Sequence, residues 1–320
     1  PAYREFYFRY ASEFGFQSFP CLKTVESFTL PEDRNIFSYV MEKHQRNQSA
    51  NGKILDYLSQ TFLYPRDFST LLYASQLLQA EAIKYGVEHW RRNRGRCMGA
   101  IYWQLNDCWP VASWSSIDYF GRWKALHYYA KRFFAPILLS CCEEGVITQN
   151  TNVNAEPFPL EKSARFSVAN ETFEGFRGEI RWSLRDPAGN ILKQGEIPME
   201  AAALSSQWAE KIDFGDADTY ENYVSYELYG EDGTWISSGS VLFCPPKHFR
   251  FQDPQLKVWM DGDEVVVQAS AYARSVEIEC PDDDILLSDN YFDMNPREKR
   301  VKILRGTPKN LQVRSVYDIR

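Results

Sequence analysis

The feature that most limits what this chain can fold into is a change of periodicity near Ala135-Pro136. Before it, apolar residues recur at helical spacing between short aromatic runs; after it, they alternate in brief segments set off by turn residues. One chain of 320 residues therefore carries two kinds of architecture. In the first part, Glu5 to Tyr10 (EFYFRY) predicts a strand between Pro1 and the turn-prone Gly15. Ile36, Phe37, Val40 and Met41 share one helix face, predicting a helix over Glu32 to Asn47 that breaks at Ser49-Ala50-Asn51-Gly52 and resumes from Lys53 to Phe62. Asp67 is the expected N-cap of the longest helix, Phe68 to Asn93. Its buried stripe includes Leu71, Leu72, Leu78, Ala82 and Trp90. Arg91, Arg92 and Arg94 end it in a way that suits the helix dipole and read as a solvated helix end. Ala100-Ile101-Tyr102 is a second strand, and a further helix follows.

In the second part, Arg181 to Arg185, Tyr223 to Tyr229 and Val265 to Ala269 read as strands. Turn signals stand at Asp186-Pro187-Ala188-Gly189-Asn190, Glu231-Asp232-Gly233 and Asp261-Gly262-Asp263. Regular spacing of this kind predicts β-sandwiches. The two prolines of Cys244-Pro245-Pro246-Lys247 interrupt strand pairing and divide two of them, at 139–245 and 246–320.

Two segments carry chemistry. The run from Ala100 to Ile117 (AIYWQLNDCWPVASWSSI) turns from a strand into a cluster holding Trp103, Gln104, Asn106, Asp107 and Trp109. An indole face suits the C–H face of a pyranose, and amides and carboxylates suit its hydroxyls. An aromatic core with a loop attached gives the same composition. The other segment is Ser12-Glu13-Phe14-Gly15-Phe16-Gln17-Ser18, where Glu13 stands among phenylalanines. A carboxylate in apolar surroundings is costly unless it is paired, hydrogen-bonded or catalytic.

Ala11-Ser12-Glu13-Phe14-Gly15-Phe16-Gln17-Ser18 and Tyr102-Trp103-Gln104-Leu105-Asn106-Asp107-Cys108-Trp109-Pro110 resemble the β-mannosidases of glycoside hydrolase family 2. Ser113 to Tyr119, Gly121 to Tyr129 and the later Ser288-Asp289-Asn290-Tyr291-Phe292-Asp293 share that resemblance. It is dense over residues 1 to about 138 and thinner onward. It implies the last βα units of a (β/α)8 catalytic barrel over 1–138, followed by two immunoglobulin-like β-sandwich domains. By the same resemblance Glu13 is the nucleophile of a retaining mechanism, and Trp103 floors the subsite holding the sugar. Gln104, Asn106, Asp107 and Trp109 complete the expected substrate-binding set. Gln104 and Asn106 alternate, so at most one faces the sugar. Asp107 is either a hydroxyl ligand or an acceptor that organises its loop. Trp109 and Trp114 either line a wall or pack beneath the loop, and Gln17 supports the first loop. The family's acid/base is a Glu preceded by Asn. The only Asn-Glu dipeptide here, Asn170-Glu171, falls in the β-rich part, so the acid/base is expected upstream of this chain.

A net charge of −7 argues against nucleic acid or an anionic membrane as partner. No run is long enough for an apolar membrane span. Seven scattered cysteines without zinc-site spacing predict free thiols and a reducing compartment, the cytoplasm, with neither metal nor cofactor. The expected ligands are β-linked mannosides or related oligosaccharides. A β-glucosaminide or β-galactoside preference, or a non-catalytic glycan-binding β-sandwich module, are the alternatives. Two barrel strands by themselves leave open edges and an apolar face. A partly irregular remnant, a second copy, or the upstream part of the same enzyme is the expected remedy.

Overall fold

The computed structural model describes residues 2–143, 154 and 161–320. The chain forms two compact units. One comprises residues 1–12, 84–101 and 131–251, the other 13–83, 102–130 and 252–320.

Strand β1 (Ala11–Phe14) is followed by the short helices α1 (Leu22–Glu26) and α2 (Tyr39–Lys43), then α3 (Ala50–Thr61) and α4 (Phe68–Arg92). Strand β2 (Ala100–Tyr102) pairs with β1, and α5 (Ala125–Phe133) closes the α/β region. The expected strand over Glu5 to Tyr10 is absent. Residues Ala2–Glu5 form a 3-10 turn and pairing begins only at Ala11. The carbonyls of Phe6, Tyr7 and Arg9 accept single bonds from Trp90 Nε1, Arg96 Nε and the Met98 amide instead of a ladder. High β-propensity makes no strand without a partner edge.

The helix expected over Glu32 to Asn47 is also broken. Pro31–Asp33 is a 3-10 turn, and the Asn35 carboxamide accepts the Phe37 amide at 2.9 Å. Ser38 then caps α2, taking the Met41 amide at 3.3 Å. Short polar side chains that bond their own backbone interrupt a helix in this way. Asp67 caps α4 as expected, its Oδ1 accepting from the Thr70 amide at 2.7 Å. The arginines at the end of α4 are not a solvated fringe. Arg91 Nη1 donates to the carbonyls of Phe133 and Ala135, both at 2.7 Å, and Arg92 is 2 % exposed. Arg91 thereby ties the end of α4 to the start of the first sandwich.

That sandwich lies within the first unit. Strands β3 (Ile137–Glu143), β4 (Ser163–Asn170), β5 (Phe176–Arg185), β6 (Ile191–Ala201), β7 (Ser205–Asp213), β8 (Tyr223–Gly230) and β9 (Trp235–Leu242) form sheets ordered β3-β4-β7 and β6-β5-β8-β9, all antiparallel. Alternation along β5 sends Ile180, Trp182 and Leu184 inward, where Trp182 meets Phe214 edge-on at 5.5 Å. Each such side chain stabilises the fold by roughly 1.5–3 kcal/mol.

The second sandwich lies within the other unit: β10 (Lys257–Asp261), β11 (Glu264–Ala269), β12 (Ala273–Glu279), β13 (Leu286–Leu287), β14 (Phe292–Met294), β15 (Arg297–Arg305) and β16 (Gln312–Arg314). Its sheets run β10-β11-β15-β13 and β14-β12-β16 around Val265, Val267, Val276, Phe292 and Val301. Within this unit the α/β segments join it through polar contacts, one buried and one at the surface. Tyr73 Oη donates to the Ser275 carbonyl at 2.6 Å, and Arg122 Nε to Asp284 Oδ1 at 2.7 Å. All seven cysteines are free. Among the described residues no helix is long and apolar enough to cross a membrane.

Candidate functional site

Glu13, Trp103, Gln104, Asn106, Asp107 and Trp109 all belong to the second unit. The ends of β1 and β2 bring them together, because the Trp103 amide donates to the Phe14 carbonyl at 2.7 Å. Glu13 is thus one residue from the bond that anchors Trp103. The Trp103–Gln104 peptide is cis. Gly15 is the only residue type that fits its position: a Cβ there would lie 2.5 Å from the Trp103 carbonyl oxygen and 3.0 Å from Trp114 Cδ1. Trp114 thus lies against the end of β1.

The phenylalanines do not bury Glu13. It is exposed, whereas Phe19 is fully enclosed and Phe16 leans on Tyr57 at 5.3 Å. Glu13 is therefore a solvated carboxylate and not one in apolar surroundings. Trp103 is 48 % exposed. Trp109 is half-buried in an aromatic row, 5.0 Å from the His44 ring, which itself lies parallel to Phe28 at 3.9 Å. His44 Nδ1 pairs with the Pro110 carbonyl at 2.6 Å, fixing the row to the loop.

Asp107 is turned into its own loop. Only 6 % exposed, it accepts from Ser113 Oγ at 2.6 Å and Gln104 Nε2 at 3.2 Å on one oxygen, and from Ser115 Oγ at 2.5 Å on the other. Both oxygens are committed to the loop, so it is an organising acceptor. The Gln104 amide also donates to the Asn106 carbonyl at 3.1 Å. Asn106 is the exposed member of that pair, with its Nδ2 on the Asp107 carbonyl at 3.2 Å. Gln17 is buried and donates to Gln45 Oε1 at 3.0 Å, the supporting role expected for it.

Beneath the loop lies Lys124, 2 % exposed, its Nζ 3.4 Å from the Ser18 carbonyl and 3.5 Å from that of Ser113. Burial pushes its ammonium down to about 8, against the attraction of Asp107 and Asp118. Burial likewise raises the Tyr102 phenol and lowers the His127 imidazole. The sequence reading missed His44, Ser113, Ser115 and Lys124. Ser113, Ser115 and Lys124 lie within the segments that carry the resemblance, but their partners appear only once the loop closes. Among the described residues, no group of three or more His, Cys, Asp or Glu is placed to hold a metal.

Residues 162–248 match the model of the mannosidase Ig/CBM-like domain, and residues 251–319 that of an Ig-fold domain of mannosidases. A goat (Capra hircus) β-mannosidase is 41 % identical over 143 residues, 41 % of this chain and 16 % of the goat protein. β-Mannosidase B of Thermothelomyces thermophilus is 28 % identical over 97 % of this chain and 39 % of its own length. The crystal structure of a Dictyoglomus thermophilum β-D-mannosidase superposes with a TM-score of 0.83 at 26 % identity, covering 98 % of this chain and 38 % of that one. The chain thus spans well under half the length of these relatives.

A mixed α/β region followed by two Ig-like sandwiches is the arrangement of the C-terminal part of a glycoside hydrolase of the mannosidase type. The chain matches the C-terminal region of the β-mannosidases of glycoside hydrolase family 2.

Proposed function

We propose that this chain supplies the nucleophile and the sugar-stacking floor of a retaining exo-β-mannosidase that removes terminal β-linked mannose. The observation that carries this reading is the exposure of Glu13 and Trp103 on strand ends held together by the Phe14–Trp103 backbone bond. The Glu13 carboxylate attacks the anomeric carbon while the aglycone oxygen departs, giving a glycosyl ester that water later cleaves. The Trp103 indole face takes the apolar face of the pyranose, and Asn106 is the exposed amide beside it.

A retaining enzyme needs a second carboxyl group, about 5–5.5 Å from the nucleophile, to protonate the leaving oxygen. Asp107 does not serve, because its oxygens hold the loop. The proton donor then comes from another part of the full-length enzyme, and the chain by itself hydrolyses aryl β-mannosides near background. The seven free thiols support a reducing compartment such as the cytoplasm.

The test is inactivation of the full-length enzyme with a fluorinated mannosyl donor bearing a good leaving group, followed by peptide mass spectrometry. A mannosyl adduct on Glu13, lost together with turnover in Glu13→Gln, is the expected result. An adduct on any other carboxylate removes the assignment.

A further inference from the structure

Ser116, fully buried, is the hub on which the backbone either side of Trp103 hangs. Its amide donates to the carbonyls of Gln104 and Leu105 at 3.0 and 3.1 Å. Its hydroxyl meets three groups: the Leu105 carbonyl at 3.0 Å, Tyr102 Oη at 2.8 Å and His127 Nδ1 at 3.0 Å. A hydroxyl has one proton and two lone pairs. One arrangement satisfies all three bonds: Ser116 donates to the Leu105 carbonyl and accepts from Tyr102 O–H and from His127 Nδ1–H.

That accounting fixes the histidine tautomer. His127 must carry its proton on Nδ1, and its ring is steadied by Trp123, edge-on at 4.3 Å. Tyr102 precedes Trp103, and Gln104 and Leu105 follow it, so the groups that converge on Ser116 hold both flanks of the indole. Lys124, one turn before the histidine, adds an amide bond to the Ser116 carbonyl at 2.9 Å.

We propose that His127 is a positioning residue: through its Nδ1–H bond to Ser116 it sets the orientation of Trp103, and with it the floor of the sugar subsite. The functional consequence rests on the reading of Trp103 given above, while the positioning itself does not.

The two amide replacements of histidine separate the idea from a packing effect. Asn places an N–H near Nδ1, whereas Gln places it near Nε2 and leaves the Ser116 lone pair unmet. The experiment is fluorine NMR of the full chain labelled with fluorotryptophan, the Trp103 resonance being assigned by Trp103→Phe. His127→Gln is expected to displace or broaden the Trp103 resonance, and His127→Asn to leave it at the wild-type position with the other tryptophans unmoved. A Trp103 resonance unchanged in His127→Gln overturns the inference. So does His127→Asn that fails to fold or shifts Trp103 as Gln does. Titrating the wild-type chain with methyl β-mannoside is a separate arm. A Trp103 resonance that ignores the sugar counts against the subsite reading and leaves the positioning result standing.

Discussion

Replacing Lys124 by Met isolates a pH effect that follows from one buried amine. In the folded chain burial pushes the Lys124 ammonium from 10.5 down to about 8. Each pKa unit corresponds to about 1.4 kcal/mol, so the native state disfavours the charged amine by about 3 kcal/mol relative to the unfolded chain. The sign follows from proton binding. Between about 8 and 10.5 the unfolded chain holds the proton and the folded chain has released it, so stability rises with pH across that window. Below it, both states are protonated and the whole penalty is present. Other groups titrate nearby with the opposite sign. The Cys21 thiol is raised from 9.0 by burial and by Asp118, so its contribution falls as pH rises. A difference between wild type and variant removes such terms for groups not coupled to Lys124; Cys21 is coupled to it, so both proteins carry Cys21→Ser. Urea unfolding of both proteins at about pH 7 and about pH 10.5 is the assay. The stability of Lys124→Met relative to wild type should drop by about 3 kcal/mol from the lower pH to the higher. A relative stability that stays constant within about 0.5 kcal/mol would show that Lys124 keeps an ordinary ammonium in the folded state, and would refute the reasoning.

Gly15→Ala drives a methyl into the Trp103 carbonyl and Trp114; an overpacking loss of about 1–3 kcal/mol is expected in thermal unfolding, with the Trp103 environment altered in the same samples. Asp107→Ala strands the Ser113 and Ser115 hydroxyls and the Gln104 amide. It should cost about 1–3 kcal/mol of stability for each donor left unmet, and a variant as stable as wild type but unable to bind mannoside would make Asp107 a ligand after all. Asp67→Ala removes the cap on Thr70 and should lower stability by about 1 kcal/mol, with sugar binding unchanged in calorimetry. Glu13→Gln leaves folding intact, since the side chain is exposed, and abolishes turnover of the full-length enzyme in an aryl mannoside assay.

Local sequence determined the elements whose cause is local. The Asp67 cap, the length of α4, and the alternation that sends Ile180, Trp182 and Leu184 to one face were legible because each depends on residues one to four apart. The motifs around Glu13 and Trp103 were equally legible, and the structure places both at paired strand ends. Where pairing partners decide, the sequence misled. Glu5 to Tyr10 has strand composition but no adjacent edge. The helix over Glu32 to Asn47 failed for a local reason that apolar spacing does not register: Asn35 and Ser38 bond backbone amides two and three residues on. Only the tertiary structure decided what Asp107 does, because its three donors come from positions 104, 113 and 115 and meet only when the loop closes. It alone buried Lys124 and joined His127 to Ser116, since the partners of a buried polar group are chosen by packing across the chain.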